Sequence, residues 1–164
     1  MKILVFSDSH GDISRMKQIV FSNSTDTDLV VHLGDRKSDL DEVMLDYPRI
    51  PRLAVVGNCD AISMFSLSSL LEHSFTFEGV KIYMTHGHHK DVKSGMFSLI
   101  REAKSKGYNV VLYGHTHIAK HEFKDNIHYF NPGSISYPRN NGKCSYGVIK
   151  ISNGNVDLKI VEVD

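Results

Sequence analysis

Five short apolar runs in this chain each end within a few residues of a side chain able to bind a metal, with glycine beside it. Lys2 to Phe6 leads into Asp8 and His10, and Leu29 to Leu33 into Asp35. Leu53 to Val56 leads into Asn58, Val80 to Met84 into His86, and Val110 to Tyr113 into His115 and His117. Runs of this length read as buried strands. In α/β architectures ligands gather outside the carboxyl ends of strands. The pattern therefore predicts that seven side chains, distant in sequence, converge on one pocket. Gly11, Gly34, Gly57, Gly87 and Gly114 beside them permit tight turns and close backbone approach. Asp8 and His10 are two residues apart, as are His115 and His117. Extended backbone would turn both members of each pair toward the same site.

The remaining elements frame these runs. A helix with Ile13, Met16, Ile19 and Val20 on its apolar face is expected after Asp12, its N-cap. A short helix is expected from Ser38 to Asp46, ended by Pro48 and Pro51. Gly95 to Lys106 reads as an amphipathic helix stopped by Gly107. Glu78-Gly79, Asp125-Asn126 and Asn153-Gly154 mark three hairpins: Ser74–Phe77 with Val80–Met84, Lys120–Lys124 with Ile127–Asn131, and Tyr146–Ile151 with Val156–Val161. Helices alternate with strands early and hairpins dominate late. That order predicts mixed sheets with helices packed outside, in a single domain over 1–164.

Composition narrows the function. Nineteen Lys and Arg balance nineteen Asp and Glu, so the formal charge is zero and no footprint for nucleic acid or an anionic membrane appears. No run approaches transmembrane length, the N-terminal apolar run is too short for a signal segment, and two separated cysteines, Cys59 and Cys144, make no disulfide framework. The expected location is the cytoplasm. Ten histidines are the unusual feature, five of them in the clusters His86/His88/His89 and His115/His117. Four imidazoles, two carboxylates and one amide suit Mn, Fe, Co, Ni or Zn, and fit Ca or an iron–sulfur cluster poorly. Seven ligands exceed what one ion takes from protein, so two ions sharing one carboxylate is the natural division. A single histidine after a strand is usually structural; the weight lies in seven candidate ligands at five strand ends together. His32, inside a strand, reads as structural. His73, His121 and His128 lack a partner motif and read as surface or packing residues.

The ordered set Asp8-Ser9-His10, Gly34-Asp35, Gly57-Asn58-Cys59-Asp60, Thr85-His86-Gly87-His88 and Gly114-His115-Thr116-His117 resembles the calcineurin-like metallophosphoesterase superfamily. The closing Asn131-Pro132-Gly133-Ser134 with Pro138-Arg139 is similar to its small YfcE-type phosphodiesterases. The resemblance implies the metallo-dependent phosphatase fold, a four-layer α-β-β-α sandwich of two mixed sheets flanked by helices. It implies one metal on Asp8, His10, Asp35 and His117 and a second on Asp35, Asn58, His86 and His115, with Asp35 bridging. Two divalent ions are implied, Mn first, with Ni, Fe, Co, Zn or Mg as the others. The implied substrate is a small phosphate ester, the implied reaction attack by a metal-bridging hydroxide, with ions about 3.5–4 Å apart. A homodimer or homotetramer is also in keeping with the family.

Two departures bear on the leaving group. The wider superfamily often places histidine where this chain has Cys59, and an aspartate three residues after the bridging one, where this chain has Ser38 and then Asp39. Cys59 and His88 are therefore the candidate catalytic residues on the leaving-group side. A weakened acid predicts a preference for aryl phosphodiesters over alkyl esters. Two other functions compete. One is a non-catalytic interaction scaffold of the same fold, like the retromer subunit. The other is a hydrolase with a protein nucleophile, against which stands the lack of a Gly-x-Ser-x-Gly elbow or P-loop.

Overall fold

The computed structural model describes residues 1–61 and 71–164. Its strands are β1 (Lys2–Phe6), β2 (Leu29–His32), β3 (Arg52–Ala54), β4 (Glu72–Phe77), β5 (Val80–Thr85), β6 (Val110–Tyr113), β7 (Lys120–Lys124), β8 (Ile127–Asn131), β9 (Cys144–Ser152) and β10 (Asn155–Val163). The α-helices among the described residues are α1 (Ile13–Asn23), α2 (Lys37–Val43) and α3 (Phe97–Lys106).

Two five-stranded sheets form, in the orders β10-β9-β1-β2-β3 and β4-β5-β6-β8-β7. Both are mixed. β1, β2 and β3 run parallel, with β9 antiparallel to β1. β5, β6 and β8 run parallel, with β4 and β7 antiparallel at the edges. Alternation along each strand builds three apolar layers. Ile3, Val5, Leu29 and Val31 face Ile82, Met84, Val110, Leu112 and Phe130 between the sheets. Leu4, Phe6 and Val30 face outward against Met16, Val20, Leu40 and Val43 of α1 and α2. Tyr83, Val111 and Tyr113 face outward against Leu99 and Ala103 of α3. Strands buried on both faces need apolar residues at every position, which is why these runs show no polar alternation. The arrangement is the four-layer α-β-β-α sandwich.

Local expectations fail where capping is concerned. Asp12 precedes α1 but makes no capping bond; its carboxylate instead pairs with Arg15 at 2.6 Å and accepts from Ser14 Oγ at 2.9 Å. Ser38 is not the cap of α2. The N-cap is Arg36, with left-handed backbone (φ 78°), and the amides of Arg36 and Lys37 both donate to Asp60 Oδ1 at 2.9 Å. A carboxylate from another segment thus satisfies the helix start that local sequence leaves open. The helix predicted to run to Asp46 turns 3₁₀ from Met44.

His32 is structural, as expected for its place in β2. It is fully buried, and its neighbours fix its proton. The Gly34 amide donates to Nδ1 at 3.1 Å, so Nε2 carries the hydrogen and donates to Ser9 Oγ at 3.0 Å. Ser9 Oγ donates on to Asp39 Oδ2 at 2.7 Å, which also accepts from the Gly11 amide at 2.8 Å. This chain ties the loop after β1 to the loop after β2. Burial pushes the His32 imidazole down to about 4, although Asp8, Asp60 and Asp39 pull it back up. A neutral ring in the fold that would charge near its ordinary pKa when unfolded contributes stability that is complete above pH ~6.5 and lost as pH falls toward ~4. The loss is worth roughly 3 kcal/mol at the lower limit. Denaturant unfolding of the metal-free protein is expected to show this decline. His32→Gln, less stable throughout, should flatten it over that window.

Candidate metal centre

The predicted ligands come together at the carboxyl ends of β1 and β2 in one sheet and β5 and β6 in the other. One ligand atom from each of Asp8, His10, Asp35 and His117 lies within 4.8 Å of the others, and the same holds for Asp35, His86 and His115. Asp35 belongs to both groups. Its Oδ1 is 3.4 Å from His86 Nε2, and its Oδ2 is 3.7 Å from His10 Nε2. The carboxylate therefore presents one oxygen to each histidine pair.

The backbone reaches this geometry by a route that the two-residue spacing did not predict. Asp8, His10, Asp35, His115 and His117 all have left-handed backbone, with φ between 46° and 66°. Extended pairing of Asp8 with His10 and of His115 with His117 is therefore corrected. His115 turns to one group and His117 to the other. Such dihedrals cost energy in residues other than glycine, and only surrounding bonds sustain them.

Those bonds are present. Asp60 accepts four backbone amides, from Asp35 (3.0 Å), Arg36, Lys37 (2.9 Å each) and Gly57 (2.7 Å), binding the loop after β2 to the loop after β3. Ser134 Oγ and Ser136 Oγ donate to the Asp8 carbonyl at 2.8 and 3.0 Å. Asn131 Nδ2 donates to the Gly114 carbonyl at 3.0 Å. The Asn131–Ser134 segment thus fixes the turn carrying His115 and His117. Two glycines are sterically required. A Cβ on Gly57 would overlap the amide and carboxylate of Asp35, and one on Gly114 would overlap Ser7 Oγ. Asp60, Ser134 and Asn131 were visible only as motif letters, since bonds between distant loops leave no periodic trace.

Protonation is set from behind. His86 Nδ1 donates to the Leu33 carbonyl, and His117 Nδ1 to the Tyr137 carbonyl, each at 2.7 Å. Each ring then turns the lone pair of Nε2 into the site, the arrangement that metal-binding histidines adopt. His117 Nε2 stands 3.2 Å from Asp8 Oδ1 and 3.5 Å from His10 Nε2; His86 Nε2 stands 3.2 Å from His115 Nδ1. Asp8 Oδ2 accepts from Ser7 Oγ and the His115 amide, whereas the buried Oδ1 accepts no hydrogen bond. A carboxylate oxygen and ring lone pairs crowded at this distance need positive charge between them. The residues therefore fit divalent cations. Burial pushes the Asp8 carboxyl up, but the His117 and His86 imidazoles and the Ser7 hydroxyl outweigh it and hold it below the ordinary range. Asp8 in turn raises His117. Protons and metal thus compete for this pair. Burial, with His86 and Lys93, lowers His115 to about 4, which leaves it a free donor at neutral pH.

Asn58 and Cys59 are exposed and line the same cavity of about 500 Å³, with His10, Asp35, His115 and His117. The Cys59 amide donates to Asp35 Oδ1 at 2.8 Å. Partial burial and the Asp35 charge raise its thiol, so it stays protonated. The His88 ring lies 5.4 Å from that of His86 and 6.1 Å from that of His115, and its buried Nδ1 has no hydrogen-bond partner among the described residues. Asp39 serves the Ser9–His32 chain. His121 and His128 stack on the β7–β8 hairpin, apart from the centre.

Comparison with known proteins identifies the family and the fold. Residues 1–154 match the calcineurin-like phosphoesterase superfamily domain. A probable metallophosphoesterase of Bacillus subtilis, YsnB, is 34% identical, covering 99% of this chain and 91% of that protein. The Escherichia coli phosphodiesterase YfcE is 28% identical over 91% of this chain and 87% of its own. A predicted phosphoesterase of Streptococcus pneumoniae superposes with a TM-score of 0.79 at 27% identity, covering 98% of this chain and 88% of that one. Vps29 of Entamoeba histolytica, solved with zinc, gives 0.76 at 20% identity, covering 99% of each, a likeness of fold alone. With a family match over nearly its whole length, the chain belongs to the calcineurin-like phosphoesterase superfamily.

Proposed function

We propose that the protein is a two-metal phosphodiesterase of the cytoplasm. The observation that carries this reading is the Asp35 carboxylate, with one oxygen toward each histidine pair. Asp8, His10 and His117 would hold one ion, His86, His115 and Asn58 the other, and Asp35 both. When bound, two such ions activate water at neutral pH and neutralise charge on the phosphate. Mn²⁺ is the expected metal, since hard carboxylate and amide oxygens sit beside imidazoles in the set.

The chain's own contribution is positional. The Leu33 and Tyr137 carbonyls hold two imidazoles with their lone pairs inward, so no rotation is needed before metal or substrate binds. The amide of Cys59 steadies Asp35 Oδ1. On the leaving-group side stand Cys59, which lines the cavity, and His88, whose ring neighbours that of His86. Neither places an imidazolium in the cavity. Protonation of the leaving group is therefore weakly served, and the enzyme favours good leaving groups. The free Cys59 and Cys144 suit a reducing compartment.

A second reading is an interaction scaffold, which the fold likeness to Vps29 favours. Against it stands a donor set with oriented lone pairs at both groups. Treatment with chelator should abolish hydrolysis of bis-p-nitrophenyl phosphate, and Mn²⁺ should restore it. Asp35→Asn should lower kcat by at least about 10²-fold. Metal bound without turnover of that diester would instead support the scaffold. Among diesters, aryl leaving groups are expected to react at least about 10²-fold faster than alkyl ones, and Cys59→Ala or His88→Ala to slow alkyl substrates selectively. Comparable aryl and alkyl rates, with chemistry limiting, would refute the weak-acid assignment.

A further inference from the structure

A second groove, about 590 Å³ in volume, adjoins the metal cavity. The two share Lys93 and Arg139, which line both. Both side chains are exposed, and among the described residues neither forms an ion pair. In a chain of zero net charge, where most other cations are paired, two unpaired ones on one boundary are a local excess. The far groove contains Met96, Tyr113 and Ile118, with Lys120 and Asn140, and no carboxylate lines it among the described residues. It also meets the start of α3, whose first turn carries no acidic residue.

The backbone holds this boundary in place. The Arg139 amide donates to the His117 carbonyl at 3.0 Å, so the guanidinium stem is anchored to a metal-ligand loop. Lys93 follows the buried Val92, whose methyls fill the space beside Gly87, next to His86. Each cation is thus tied to the turn bearing one histidine of a different group. A phosphate at the metal centre would have one ester arm leaving across this boundary. Guanidinium and ammonium groups recognise phosphate by charge-assisted hydrogen bonds.

Resting on the phosphodiesterase reading for what occupies the centre, we propose that Lys93 and Arg139 form a second anion subsite. It binds a further phosphate carried on one arm of the substrate, while the Met96–Tyr113–Ile118 surface takes the apolar part of that arm. The preferred substrate class is a phosphodiester with a second phosphate on one arm, such as a nucleotide derivative, rather than a diester with two neutral arms.

The test is calorimetric binding of thymidine 3′,5′-bisphosphate and thymidine 5′-monophosphate to the Mn²⁺-loaded protein. The bisphosphate is expected to bind about tenfold or more tighter. Lys93→Ala with Arg139→Ala should reduce that ratio to about twofold or less, while Lys159→Ala, a remote cation, should preserve it. Equal affinities in the wild type, or a ratio unchanged in the double variant, would overturn the subsite. Hydrolysis of bis-p-nitrophenyl phosphate by the same wild-type preparation tests the phosphodiesterase reading separately. Turnover with equal nucleotide affinities would sink the subsite alone. A bisphosphate preference without turnover would keep the subsite and sink the phosphodiesterase reading.

Discussion

The Asp35 carboxylate lies between two histidine pairs, and much of the centre's local architecture holds it there. Its backbone is left-handed, a conformation uncommon outside glycine although aspartate tolerates it better than most residues. Asp60 binds its amide and that of Gly57, the Cys59 amide binds its Oδ1, and Gly57 leaves no Cβ to displace it. Asp8, His10, His115 and His117, beyond the ends of other strands, share the same left-handed backbone. The strain at the site is distributed over several turns, each stabilised by hydrogen bonds from a different loop.

The two sheets make this sharing necessary. Asp8 and Asp35 follow strands of one sheet; His86, His115 and His117 follow strands of the other. Neither sheet holds a complete set. The apolar layer between them fixes their spacing, and the His86–Leu33 and Ser134–Asp8 hydrogen bonds join their edges at the site. Carboxylate oxygens and ring nitrogens crowd together there, and the buried Asp8 Oδ1 accepts no hydrogen bond among the described residues. The His117 and His86 imidazoles and the Ser7 hydroxyl keep the Asp8 carboxyl charged, so the donor set is in place for a cation.

Strands buried on both faces were legible in the sequence because their residues are apolar at every position, and the strand ends bearing ligands followed directly. β1, β6 and both strands of the β7–β8 hairpin fall where the sequence places them, and the other strands shift by one or two residues at their ends. The Asp and His side chains singled out in the sequence also come together, in two groups that share Asp35, with Asn58 at the cavity wall. What failed was local reasoning about backbone. Asp12 and Ser38 were expected to cap helices, but Asp12 pairs with Arg15, and the amides at the start of α2 go to Asp60. Asp8-x-His10 and His115-x-His117 suggested extended pairs, but both are built on left-handed residues. In each case a bond from a distant loop decided the conformation, and pattern within a window cannot register such a bond. Lys93 escaped notice for the same reason, and Arg139 stood out only as a motif letter, the two being brought to one boundary only by tertiary structure.

A shared carboxylate makes a quantitative statement about stoichiometry. Calorimetric titration of the chelator-treated protein with Mn²⁺, read alongside the electron paramagnetic resonance of the bound ions, tests it most directly. Two ions per chain with a spin-coupled spectrum, reduced to one uncoupled ion in His117→Ala, are the expected results. One ion per chain in the wild type, or two without coupling, would contradict the placement of Asp35 between two metals.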